Sequence, residues 1–124
     1  MVIMSTEPST DRPPLRDRLR AALSVAMKSR DRQAVTALRA TLGAIDNAEA
    51  VDVGDHRAGS VESSAVGLGA AEVARRELTE TDIEQIVRAE IADRHKVAEE
   101  YEALNRAEHA DDLRAQARTL TELL

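Results

Sequence analysis

Aliphatic residues in this chain recur at intervals of three and four, and that spacing admits helices and little else. Leu15, Leu19, Leu23 and Met27 step by four, with Ala22 and Ala26 beside them. They predict a helix over 14–29, opened by Pro13-Pro14, because proline fits a first helical turn whose N–H groups lack intrahelical partners. Val35, Leu38, Leu42 and Ile45 repeat the pattern with 3-4-3 spacing. Asp31 stands where a side chain can cap that second helix. Only Ser29 to Asp31 separates the two stripes, so short a connection that it predicts an antiparallel hairpin. A second hairpin follows. Leu78-Thr79 and Asp82-Ile83 read as a capping box inside a hydrophobic staple. The stripe then runs through Ile83, Ile86, Val87, Ile91, Ala98, Tyr101 and Leu104. Asn105 suits a left-handed C-cap, and Leu113, Ala117, Leu120 and Leu124 mark a last helix. The expected fold class is all-α: two antiparallel helical hairpins, about four helices, packed as a small bundle.

Two segments fall outside this pattern. Residues 1–13 mix Ser, Thr, Pro and charges without periodicity and read as a flexible tail. Residues 51–77 contain Gly54, Gly59, Gly67 and Gly69 with Ser60, Ser63 and Ser64, and read as a long mobile insertion between the hairpins. The remainder, 14–124, is expected to form one helical domain. Tyr101 is the only aromatic residue, so the core must be aliphatic. Its many alanines let helix axes approach to about 8 Å.

The same inventory narrows the chemistry. Without Cys there is no disulfide, thiol nucleophile or Cys-based zinc site. No run approaches the 18 or so apolar residues that span a bilayer, and no signal-peptide core follows Met1–Met4, so a cytoplasmic protein is expected. His95 and Glu99 have a metal-compatible i,i+4 spacing, but His56 lies in the insertion and His109 on the next helix; neither metal nor cofactor is expected. The Gly67-Leu68-Gly69 run has Glu72 in place of a third glycine and no preceding strand, which is not a phosphate loop. Ser60, Ser63 and Ser64 lack a base and an orienting acid around them. No catalytic residue is expected.

Charge is uneven. Residues 1–40 hold eight Lys/Arg against four Asp/Glu, while the rest holds nine against nineteen. The basic candidates for nucleic-acid contact are Arg16, Arg20, Lys28, Arg30 and Arg32. A second polar set lies beside the apolar stripes: Arg39, Asn47 and Glu49 on helix two, and Glu90, Arg94 and Tyr101 on helix three. These six are expected to meet as a cluster between the hairpins.

Several segments also form a family pattern. Leu15-Arg16-Asp17-Arg18-Leu19 with Ala26-Met27-Lys28-Ser29-Arg30-Asp31 opens it. Leu38-Arg39 and Ala44-Ile45-Asp46-Asn47-Ala48-Glu49 continue it. Leu78-Thr79 with Ile83, Arg88-Ala89-Glu90-Ile91, Arg94, Ala98-Glu99-Glu100-Tyr101 and Asn105-Arg106 complete it. Over about 15–50 and 78–124 the chain resembles the YqeY family (GatB/YqeY domain), in a short form that stops where longer members add a small C-terminal helical domain. Asp46 stands where the family usually has lysine. The resemblance implies a non-catalytic helical accessory domain associated with tRNA or with an amidotransferase-like protein. It also allows a component of a carbon–nitrogen ligase that uses glutamine as amide donor, in the manner of the tRNA-dependent amidotransferases. A purely structural protein–protein module is the third reading.

Overall fold

The computed structural model describes residues 12–59 and 77–124. They form α1 (Leu15–Ser29), α2 (Arg32–Gly59), α3 (Glu80–Ala103) and α4 (Ala107–Thr121), and no strand is present among the described residues. The cross-helix contacts give the direction of each pair. Arg16 at the start of α1 meets Glu49 far along α2, whereas Met27 near the turn meets Arg39. In the second pair Glu102 meets Arg114 near the turn, and Arg94 meets Gln116 further down. Both pairs are therefore antiparallel hairpins, and they pack into one bundle as the sequence pattern predicts.

The core joins Leu15, Leu19, Ala26, Ala34, Ala37, Leu38, Ile45, Ile83, Val87 and Leu120. Each buried Leu, Ile or Val among them contributes roughly 1.5–3 kcal/mol. Two residues of the expected stripes are exposed. Met27 is 50% exposed and Leu104 is 66% exposed. A helix turns about 100° per residue, so twelve residues from Leu15 carry Met27 about 120° off the inward direction. Ala26, about 20° off, takes the buried place instead. Leu104 lies past the end of α3, at its C-cap, and so escapes the seam.

The expected insertion over 51–77 is corrected at its start. Residues 51–59 continue α2 to Gly59. No proline interrupts them, and a glycine inside a helix costs only about 1 kcal/mol, so elongation from a formed helix proceeds through Gly54. Residues 60–76 lie outside the described residues, as do 1–11 of the expected tail.

Chain ends and turns are held by particular groups. Thr79 and Asp82 make both capping-box hydrogen bonds, each 3.0 Å, and Leu78 and Ile83 both pack on the core. Asp31 caps α2 by accepting from the Ala34 amide at 3.2 Å. At the start of α1, Pro14 offers no capping side chain, and Glu80 from α3 accepts the Leu15 amide at 2.6 Å. The same corner anchors the end of α4: Arg18 donates to the Leu123 carbonyl, and Arg12 to the Leu123 and Leu124 carbonyls.

Both hairpin turns are Schellman closures. At the second, the Arg106 amide donates to Tyr101 O and the Asn105 amide to Glu102 O, with Asn105 left-handed at φ 62° as expected. At the first, Asp31 N donates to Ala26 O and Arg30 N to Met27 O, and Arg30 itself is left-handed at φ 60°. That conformation costs a residue with a Cβ roughly 1–2 kcal/mol, and glycine avoids it while losing more freedom on folding. Arg30→Gly is expected to raise the unfolding free energy in urea by roughly 0.5–1 kcal/mol. A fall in stability would show that the Arg30 side chain stabilises the turn more than its backbone strains it.

Candidate functional site

One polar chain runs through the middle of the bundle. Arg94 is buried, which requires that its guanidinium find partners. Its Nη1 donates to the Glu90 carboxylate at 2.8 Å and to the Glu90 carbonyl at 3.1 Å. Its Nε donates to Oε1 of buried Gln116 on α4 at 3.0 Å. Gln116 in turn donates from Nε2 to Gln33 on α2 at 2.7 Å. Three helices are thereby tied at one level, the start of α2.

Of the six residues expected to form an inter-hairpin cluster, Glu90 and Arg94 belong to this tie and the other four do not. A helix rises 1.5 Å per residue, so Asn47 and Glu49 lie about 21 and 24 Å along α2 from Gln33. Asn47 is exposed there, and Glu49 forms an ion pair with Arg16. Tyr101 is one helical stretch of about 10 Å beyond Arg94 and stacks on His109, ring centroids 5.0 Å apart. Arg39 is exposed on the other side of α2, its Nη2 4.0 Å from the Met27 sulfur. Gln33 and Gln116 are the members that sequence reasoning missed. The available signal was Gln116 itself, a polar residue on the stripe that passes through Leu113 and Leu120.

The basic candidates also separate. Arg16 is half-buried and engaged with Glu49, so it works inside the α1–α2 hairpin. Arg20, Lys28, Arg30 and Arg32 are exposed and have no carboxylate partner among the described residues. Arg39 joins them by the same criteria. Arg20 and Met27 are seven residues apart on α1, and Arg32 and Arg39 are seven apart on α2. Seven residues is nearly two full turns, so each pair shares one side of its helix. The Met27–Arg39 contact brings those two sides together. A band of arginines thus lies along the outer seam of the first hairpin, with Lys28 and Arg30 at its turn. The arginines elsewhere that carry carboxylate partners are Arg88 on Glu84, Arg94 on Glu90, and Arg114 on Glu102.

Other features resolve as internal structure. A cleft of about 440 Å³ is lined by Arg12, Arg18, Glu80 and Glu84 among others. Its charged groups already serve the helix ends described above or, for Glu84, pair with Arg88. Among the described residues no group of three His, Cys, Asp or Glu is placed to hold a metal, and no helix is long and apolar enough to cross a membrane. On the surface, the Arg114 hydrogen bond, followed by its charge, holds the Glu102 carboxyl below its ordinary value. Its contribution is therefore fully present above that ordinary value and lost as pH falls through the lowered one.

Gln116→Leu keeps the side-chain bulk but strands the Arg94 Nε–H. It is expected to lower the unfolding free energy by roughly 1–3 kcal/mol, whereas Gln33→Ala at the edge of the tie should cost less than about 1 kcal/mol. Equal costs in urea titrations would contradict this ordering. In comparisons with known proteins, no family model, no characterised protein and no solved structure matches the chain.

Proposed function

We propose that the chain is a non-catalytic helical accessory domain that docks on tRNA through the outer seam of its first hairpin. One observation supports this above others: Arg20, Lys28, Arg30, Arg32 and Arg39 form an exposed cationic band without carboxylate partners among the described residues. Guanidinium groups bind phosphate oxygens through paired N–H donors, and each one engaged releases condensed counterions. The choice of tRNA as the nucleic acid rests on the resemblance to the YqeY family (GatB/YqeY domain) and the tRNA association that it implies. The side-chain arrangement favours backbone phosphates over bases, since the band itself contains no aromatic residue.

The test is the salt dependence of tRNA binding by the full chain. With all five cations engaged, the logarithm of the association constant should fall against the logarithm of salt with a slope of about −3.5 to −4.5. The double substitution Arg32→Gln/Arg39→Gln should reduce that slope by about 1.5, and Arg88→Gln, whose guanidinium is paired with Glu84, should leave it unchanged. A slope near zero, or one indifferent to the double substitution, would overturn the reading.

A further inference from the structure

The two hairpins end at different levels. Gln33, the second residue of α2, touches Gln116, which touches Arg94, whereas α3 runs on to Ala103. Nine residues of α3, about 14 Å, therefore extend past the level where α2 begins. The side of α3–α4 that packs on α2 lower down continues along this extension. On α3, Tyr101 follows Arg94 by seven residues; on α4, His109 precedes Gln116 by seven. Tyr101 and Leu113 are only half-buried, His109 and Leu104 are exposed, and the two rings stack on one another. The result is a shelf of Tyr101, Leu104, His109 and Leu113 that α2 is too short to cover.

Charge identifies what fits it. Residues 95–115, the projecting tip, carry six Asp/Glu against three Lys/Arg, of which Arg114 is paired with Glu102. Glu108 and Asp112, both exposed, flank the shelf on α4. Such a surface repels phosphate and anionic lipid and selects a cationic partner with apolar area of its own. Beside the shelf in the same molecule stands the turn between α1 and α2. Residues 20–39 carry five Lys/Arg against one Asp, with Val25 66% exposed and Met27 50% exposed. Shelf and turn are the two halves of a step.

We infer that this step is the interface for a second copy of the chain. A two-fold axis through the shelf lays one shelf on the other, as in a half-lap joint, and brings each acidic tip against the partner's basic turn. This is an isologous contact, in which the same patch serves both protomers. Opposed charges steer such contacts and fix their register, so association should weaken with salt. The inference does not rest on the tRNA reading; Lys28 and Arg32 serve in both, so phosphate and a second copy compete for them.

Sedimentation velocity of the full chain at low salt tests it directly. The wild-type chain should move from the 13.5 kDa monomer towards twice that mass as concentration rises, and return to monomer in high salt. Leu104→Glu, at an exposed position outside the helices, should weaken association at least about tenfold with circular dichroism unchanged. Lys28→Glu/Arg32→Glu should do the same, and so should Glu108→Lys/Asp112→Lys. Mixing these two charge-reversed chains should restore association, because each then meets an opposite charge. A wild-type chain that stays monomeric throughout, a dimer unaffected by Leu104→Glu, or a mixture that fails to re-associate would each overturn the inference.

Discussion

The polar tie that starts at the buried guanidinium of Arg94 and ends at Gln33 joins the two hairpins. A charge removed from water must be surrounded by acceptors or it destabilises the fold by several kcal/mol. Here Glu90 supplies the countercharge within α3, Gln116 supplies the acceptor from α4, and Gln33 completes the chain from α2. Aliphatic contacts supply most of the driving force, but they are tolerant of sliding by a turn. The polar tie is not: sliding one hairpin past the other by a turn would carry Gln33 about 5 Å from Gln116, while Arg94 and Gln116 stay together within the second hairpin. That level, together with the corner where Leu15 meets Glu80 and Arg18 meets Leu123, determines where α2 starts against α3, and hence how far the α3–α4 tip extends beyond it.

Electrostatics follows from the same layout. In the second hairpin Arg88, Arg94 and Arg114 find carboxylates at i,i+4 or across the α3–α4 seam, whereas exposed Arg118 has none among the described residues. In the first hairpin Asp17 and Asp46 are exposed and form no ion pair among the described residues. Glu49 takes Arg16, and Asp31 is engaged at the N-terminus of α2. Arg18 is held by the Leu123 carbonyl, and Arg20, Lys28, Arg30, Arg32 and Arg39 face solvent, which concentrates positive potential on one end while the tip of the other hairpin stays negative. An exposed ion pair contributes at most about 1 kcal/mol, so this segregation matters for association more than for stability.

The helical class and its turns were legible in the sequence because each rests on local chemistry. The Thr79–Asp82 box, the Asp31 cap and left-handed Asn105 all depend on residues within three or four positions of one another. Facing across helices was less legible. Counting Leu15, Leu19, Leu23 and Met27 by fours ignores the 40° gained at each step, which is why Met27 turns outward. Arg16 and Arg39 exchanged roles for a related reason. Which side of a hairpin an arginine faces depends on the rotation of both helices, and neither rotation is written in the spacing of charges alone. Gln33 and Gln116 became visible as partners only once α2 and α4 were placed side by side. The left-handed Arg30 had no local mark, since arginine is an ordinary helix former.

The side-chain resonances of Arg94 provide the most direct measurement of this account. With Nε–H held by Gln116 away from water, the signal should be resolved, slow to exchange with solvent, and connected by nuclear Overhauser effects to the side-chain amide groups of Gln116 and Gln33. An Arg94 Nε–H that exchanges as rapidly as that of exposed Arg20, with no contact to either glutamine, would contradict it. The register of the hairpins, and the step built on it, would then lose their physical basis.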